Sequence, residues 1–179
     1  VAVNTHVSNM ISVQSDCPHR ERFGYGGDLL ATAETALALW DMRAFYGKRV
    51  RDFNEAAAQV GGGAFFTETA PFVGIADGGL GGVAGPIGWD TVQPVLQVWL
   101  HEVYGEEELL RESLNTTRQW LAALEAAPAK AVEGGLGDWM ALEQPRRAMS
   151  GRGFELMNYR ALANIADTLG EDRLSHEYP

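Results

Sequence analysis

The sequence predicts an all-α fold built from helical hairpins arranged as part of a toroid. Apolar residues recur at helical spacing in five segments, and no segment shows a convincing strand alternation. The connections between these segments are alternately long and short. Because short connections make antiparallel neighbours, the long loops are expected to meet at one end of the array. Five helices are too few to close a toroid, so residues 1–179 are expected to be one partial domain, truncated at both ends.

The first two helices are predicted to follow one another closely. The first covers residues 29–46, with Asp28 as a plausible N-cap residue and Gly47 as its end. The second covers residues 49–60 and is followed by three consecutive glycines. The stretch 61–89 holds ten glycines and no sustained period, which is typical of a loop.

Three further helices are predicted over residues 90–104, 106–126 and 154–169. Pro94 falls in the first turn of the third helix, where a missing N–H is tolerated. Residues 127–152 carry no sustained period and are predicted to be another long loop.

Composition restricts the partners that the protein can have. A formal net charge of −10 disfavours nucleic acid and anionic membrane surfaces, and no apolar run approaches the ~20 residues that span a bilayer. The only cysteine, Cys17, excludes an intrachain disulfide and a cysteine-rich metal site. The four histidines lack ligand spacing, so neither a metal nor a cofactor is predicted. Periplasmic, secreted and cytoplasmic locations all fit the sequence.

Residues 15–28, with the sequence SDCPHRERFGYGGD, form the segment richest in reactive side chains. Pro18 disfavours a helix at the preceding residue, and the three glycines of the segment allow tight turns. Its carboxylates are Asp16, Glu21 and Asp28. A loop so rich in acids, directly before a helix, is a natural position for a carboxylate-based active site.

Two later loops combine a tryptophan with an acid, in the pairs Trp89–Asp90 and Asp138–Trp139. Sugar rings stack on aromatic side chains, and their hydroxyls donate hydrogen bonds to carboxylates. Cleavage of a glycoside uses two carboxyl groups. The residues therefore favour a carbohydrate site, while packing roles for the two tryptophans and a capping role for Asp90 remain alternatives.

The run from Ser12 to Asp28 resembles the signature of bacterial α-L-rhamnosidases, glycoside hydrolase family 78. Residues 69–71 (TAP), 88–90 (GWD) and 135–139 (GLGDW) are similar to further segments of that family, in the same order. The resemblance implies an (α/α)6 barrel catalytic domain. It also implies an inverting hydrolase that removes terminal α-L-rhamnose from rhamnose-containing glycosides or polysaccharides, without a cofactor.

The same resemblance implies that Glu21 is the general acid. Asp16 and Asp28 are expected to bind rhamnose hydroxyls and to help keep Glu21 protonated. The remaining candidates for substrate contact are Arg20, Tyr25, Trp89, Asp90, Asp138 and Trp139. Many members have Trp where this chain has Tyr25, and tyrosine keeps a stacking face. The general base, the rest of the barrel and any accessory domains are expected outside this chain.

Two other functions remain open from the residues alone. One is a related helical-barrel enzyme that acts on another sugar, and the other is a non-catalytic carbohydrate-binding or scaffold module. A panel of aryl glycosides separates the first from a rhamnosidase, and binding without turnover identifies the second.

Overall fold

The computed structural model describes residues 1–60, 63–76, 80, 84–127, 129–133, 135, 137, 142 and 147–171. Within these residues the chain forms helices and one very short antiparallel hairpin. In chain order the elements are α1 (Ala2–Asn9), β1 (Met10–Ile11), β2 (Val13–Gln14), α2 (Gly26–Leu39), α3 (Arg43–Val60), α4 (Ile87–Asp90), α5 (Val92–Tyr104), α6 (Glu107–Ala126), α7 (Ala129–Glu133) and α8 (Arg147–Leu169).

The long helices form two layers. Helix α5 packs against both α2 and α8. These three helices form one layer, in which they lie side by side in the order α2, α5, α8. Helix α3 packs against α5 and α6, and α6 packs against α8, which places α3 and α6 in a second layer. Consecutive long helices therefore alternate between the layers, as in part of a helical-hairpin toroid. The all-α prediction is confirmed.

The core lies between the layers and contains one polar link. Trp120, Tyr46 and Phe53 are fully buried there, and burial of each large apolar side chain contributes about 1.5–3 kcal/mol. Trp120 Nε1 donates to Asn158 Oδ1, and Asn158 Nδ2 donates to Thr91 Oγ1, each at 2.7 Å. Asn158 of α8 thereby ties α6 to the residue that precedes α5.

The predicted helix over residues 29–46 is wrong at both ends. Helix α2 begins at Gly26 and ends at Leu39, while Gly47 lies buried inside α3. The chain turns between the two helices because the Tyr104 hydroxyl accepts the N–H of Met42 at 2.9 Å and donates to the carbonyl of Trp40 at 3.2 Å.

Neither acidic residue proposed as a cap occupies the N-cap position. Tyr25 is the N-cap residue of α2, and Asp28 lies inside the first turn of that helix. Asp90 ends α4, and Thr91 is the N-cap residue of α5. The third predicted helix therefore begins at Val92 rather than at residue 90.

The last two predicted helices are confirmed with changed starts. Helix α6 begins one residue later than predicted, and α8 begins at Arg147 rather than at residue 154. The predicted loop over residues 127–152 also contains α7. Among the residues that the structure describes, no helix is long and apolar enough to cross a membrane.

Candidate active site

Two long loops are joined at the start of α2 by bonds between backbone atoms. The N–H of Gly26 donates to the carbonyl of Glu68 at 3.0 Å. The N–H of Ala70 donates to the carbonyl of Gly24 at 3.1 Å. This backbone joint holds Tyr25, which lies between the two glycines, against the segment 66–71.

Arg49 of α3 reinforces the backbone joint from the protein interior, where its side chain is fully buried. Its Nη1 donates to the carbonyl of Ala70 and to Asp52 Oδ2, each at 2.7 Å, and its Nη2 donates to the carbonyl of Gly24 at 3.2 Å. Burial lowers the pKa of Arg49, and the charge of Asp52 counteracts that effect. The planar guanidinium suits this site because it reaches several acceptors at once.

The acidic loop before α2 is closed by Asp16 and Phe23. The N–H of Asp16 donates to the carbonyl of Phe23 at 3.1 Å, and the N–H of Phe23 donates to Asp16 Oδ1 at 3.0 Å. Inside the loop, the N–H of Glu21 donates to Cys17 Sγ at 3.3 Å. Arg22 takes the left-handed conformation with φ 59°. These interactions shape the loop around Glu21, whose side chain is exposed.

Tyr25 is hydrogen-bonded to Glu21 and lies within the field of other carboxylates. Its hydroxyl donates to Glu21 Oε2 at 2.9 Å. Burial raises the pKa of Tyr25, and the hydrogen bond to Glu21 and the charges of Glu21, Glu68 and Asp16 raise it further. The phenol therefore keeps its proton, and remains a donor, through the neutral pH range.

Asp28 lies between two cavities. One, of about 370 Å³, opens between α1 and α2 and is also lined by Asp16 and Thr32. The other, of about 540 Å³, is lined by Asp28 together with Trp89 and Gly137. Burial raises the pKa of Asp28, and the charges of Asp16 and Glu21 raise it further.

The larger cavity is where the three long loops meet. Asp28 follows the first loop, Trp89 ends the second, and Gly137 belongs to the third. The predicted convergence of these loops at one end of the helical array is confirmed. Trp99 and Phe154 complete much of the apolar wall.

Trp89 packs against the first turn of α2, where two glycines make room for it. A Cβ atom at Gly27 would lie 2.6 Å from the Trp89 ring, and a Cβ atom at Gly26 would lie 2.1 Å from its carbonyl oxygen. Neither glycine has a positive φ. These glycines therefore serve close packing rather than the tight turns expected from the sequence.

A buried pair of acids lies next to this region. Asp90 is fully buried, and neither of its carboxylate oxygens has a hydrogen-bond partner among the described residues. Burial raises the pKa of Asp90 well above its ordinary value, and the charge of Glu68 raises it further. The nearby N–H of Gly85 offsets part of this shift. Glu68, only 3% exposed, was not identified from the sequence.

The sequence model of the bacterial α-L-rhamnosidase six-hairpin glycosidase domain matches residues 1–178. The chain belongs to this family. It is 31% identical over 169 residues to an α-L-rhamnosidase of Streptomyces avermitilis, covering 92% of this chain and 15% of that protein. It is 46% identical over 48 residues to an α-L-rhamnosidase of Formosa agariphila, covering 27% of this chain and 5% of that protein.

Two solved structures share the fold of this rhamnosidase-family chain. The α-L-rhamnosidase from Dictyoglumus thermophilum superposes with a TM-score of 0.85 at 23% identity, over 98% of this chain and 20% of that one. The enzyme from Aspergillus terreus gives a TM-score of 0.74 at 19% identity, over 97% and 21%. The chain thus spans about a fifth, or less, of the length of these relatives.

The structure brings most, but not all, of the predicted site residues of this family member together. The charges of Asp16 and Glu21 act on both Tyr25 and Asp28, and Trp89 shares a cavity wall with Asp28. Two further candidates differ in exposure: Arg20 is exposed and Asp90 is fully buried. Asp138 and Trp139 lie outside the described residues.

Proposed function

We propose that this chain forms the acid-bearing part of an enzyme that hydrolyses terminal α-L-rhamnosides with inversion, and that Glu21 is the general acid. The proposal depends above all on the grouping of Glu21 with Asp16, Asp28 and the hydroxyl of Tyr25, in which Asp28 also lines a cavity with an aromatic wall. Membership of the rhamnosidase family supports rhamnose as the sugar. A carboxyl group and aromatic surface at one opening are what glycoside cleavage requires.

The other side chains receive roles that follow from where they lie. Asp16 and Asp28 line cavities and are proposed to accept hydrogen bonds from rhamnose hydroxyls. Trp89 offers its ring to the apolar face of the sugar. Arg20 is proposed as a polar contact from its exposed position, whereas buried Asp90 is proposed to support α4, the short helix that carries Trp89.

An inverting mechanism also needs a general base. The base must lie about 6.5–9.5 Å from the acid so that a water molecule fits at the opposite face of the sugar. We assign no described residue to that role and propose that the base, like the rest of the barrel and any accessory domains, lies outside this chain. Asp138 and Trp139 remain predicted sugar contacts.

The test compares Glu21→Gln with the wild type in the full-length protein. An alkyl α-L-rhamnoside needs acid assistance because its leaving group is poor, and we expect its kcat/KM to fall by about 100- to 10,000-fold. Glu55→Gln, the same change at an exposed residue of α3, serves as the control and should match the wild type. Proton NMR of the first-formed rhamnose reports inversion.

Three results would contradict parts of the proposal. Unchanged turnover of the alkyl rhamnoside by Glu21→Gln would remove Glu21 as the acid. Turnover of a different aryl glycoside in preference to the rhamnoside would replace the sugar. Sugar binding without turnover by the folded wild-type protein would indicate a binding module.

A further inference from the structure

The Tyr25 hydroxyl forms a hydrogen bond with one of the two oxygens of the Glu21 carboxyl group. It donates to Oε2 at 2.9 Å. A protonated carboxyl group has one oxygen that carries the hydrogen and one that accepts. Because a phenol that donates must meet an accepting oxygen, this bond leaves the other oxygen, Oε1, as the position of the acidic proton.

The position of Tyr25 is itself well determined. Its backbone lies in the backbone joint between the loops, where buried Arg49 donates hydrogen bonds to the carbonyls of Ala70 and Gly24. Its ring packs on Phe23 at a centroid distance of 6.2 Å and an interplanar angle of 56°. Glu21, by contrast, is an exposed residue whose carboxyl group can rotate about its side-chain bonds. The fixed phenol therefore restrains the mobile carboxyl group.

We propose that Tyr25 is a positioning residue that selects Oε1 of Glu21 as the oxygen that protonates the leaving group. In the step itself, the proton moves from Oε1 to the glycosidic oxygen while the bond between that oxygen and the anomeric carbon breaks. Water supplies the new bond to the anomeric carbon and gives its proton to the base. Glu21 then regains a proton from solvent, and the base releases to solvent the proton that it took from water. This inference rests on the proposed function.

A role of this kind predicts a dependence on the leaving group. A residue that acts through the general acid matters most when the departing oxygen is strongly basic, as in an alkyl rhamnoside. It matters little for a nitrophenyl rhamnoside, whose departing oxygen needs scarcely any protonation. A residue that only stacks on the sugar affects both substrates alike, because both carry the same rhamnose.

The experiment compares Tyr25→Phe with the wild type in the full-length protein on these two substrates. Phenylalanine keeps the ring and removes the hydroxyl. We expect kcat on the alkyl rhamnoside to fall about tenfold, which corresponds to one hydrogen bond. We expect less than a twofold change on the nitrophenyl rhamnoside, with KM unchanged for both.

Tyr104→Phe is the matched control. The Tyr104 hydroxyl is also hydrogen-bonded, but at the turn between α2 and α3, where it accepts from Met42 and donates to Trp40. We expect this variant to lower the melting temperature without changing the ratio of kcat on the two substrates. A melting temperature close to wild type for Tyr25→Phe shows that the variant is folded.

The outcomes separate this inference from the function on which it depends. Equal losses on both substrates, a loss confined to KM, or no loss would each overturn the positioning role, while an inactive Glu21→Gln variant would leave the proposed function in place. A wild-type protein that hydrolyses neither rhamnoside would overturn the proposed function and this role with it.

Discussion

The buried guanidinium group of Arg49 donates a hydrogen bond of 2.7 Å to the backbone oxygen of Ala70. The same group reaches the carbonyl of Gly24, so one side chain of α3 holds both loops that frame Tyr25. Arg49 therefore holds the backbone of the candidate site in place, although it makes no hydrogen bond to Glu21 or to the Tyr25 hydroxyl.

Replacement of Arg49 by Met should therefore be strongly destabilising. The change leaves the buried carbonyl of Ala70 without its donor and removes one of the two donors of both the Gly24 carbonyl and Asp52. We expect the free energy of unfolding to fall by about 2–4 kcal/mol. Lys48→Met is the control, because Lys48 also pairs with Asp52 but is half exposed. We expect it to lose less than about 1 kcal/mol. Denaturant unfolding measures both, and equal losses would show that burial of Arg49 is unimportant.

Replacement of Gly27 by Ala should displace Trp89 from its place on α2. The new methyl group would meet the indole ring at 2.6 Å, so the ring must move. We expect kcat/KM for rhamnosides to fall by about ten- to a hundredfold. Gly153→Ala in α8 places its methyl group in open space and should leave activity unchanged. Wild-type kinetics in Gly27→Ala would mean that the position of Trp89 does not matter.

Asp90 should make stability depend on pH. Because the pKa of Asp90 is raised in the folded state, its contribution is fully present below the ordinary pKa of about 4. It is lost as the pH rises from there through the raised folded value, since the unfolded chain releases this proton first. Asp90→Asn should abolish this decline and raise the free energy of unfolding at pH 8 by about 1–3 kcal/mol.

Thermal unfolding between pH 4 and pH 8 measures the effect of Asp90. Asp167→Asn provides the control, because it makes the same change at an exposed residue of α8. We expect this control to follow the wild-type pH dependence. A steeper decline in Asp90→Asn than in the wild type would reverse the sign of the argument.

Asn158 should be essential to the packing of α8. Asn158→Ala removes the partner of the Trp120 indole N–H and of the Thr91 hydroxyl, both buried. We expect a loss of about 2–4 kcal/mol in the free energy of unfolding. The same substitution at exposed Asn164, one to two turns further along α8, should change stability by less than about 0.5 kcal/mol. Similar losses at both positions would indicate that the buried link is dispensable.

The sequence predicts those parts of the fold that depend on local signals. Helix α6 is read correctly because its apolar spacing is regular, and Pro94 is placed correctly because its constraint is local. The boundary between α2 and α3 is missed because it depends on Tyr104, which lies more than 60 residues further along the chain. A local signal was present in Asp41, whose Oδ1 accepts the N–H of Arg43 at 3.1 Å.

The residues of the candidate site also divide into those that local sequence patterns predict and those that only the fold brings together. The acids of residues 15–28 are found from the sequence because they are adjacent in the chain. Glu68 and Arg49 are missed because burial of a charged side chain results from contacts between distant segments, and no local pattern reports it. The roles of Gly26 and Gly27 are misread for a related reason, since the ring and carbonyl that exclude a side chain there belong to Trp89.

The bonds between Gly26 and Glu68, and between Ala70 and Gly24, use backbone atoms alone. Gly24 and Gly26 have no room for a side chain, but substitution elsewhere in either loop leaves these donors and acceptors in place. The other positions of these loops can therefore change in sequence while the register between the two loops is preserved. Such changes can alter which group, on the far side of the glycosidic bond from the sugar, the loops bind. The spacing of the two segments is therefore under stronger constraint than their side chains, and an inserted or deleted residue should be tolerated less well than a point substitution.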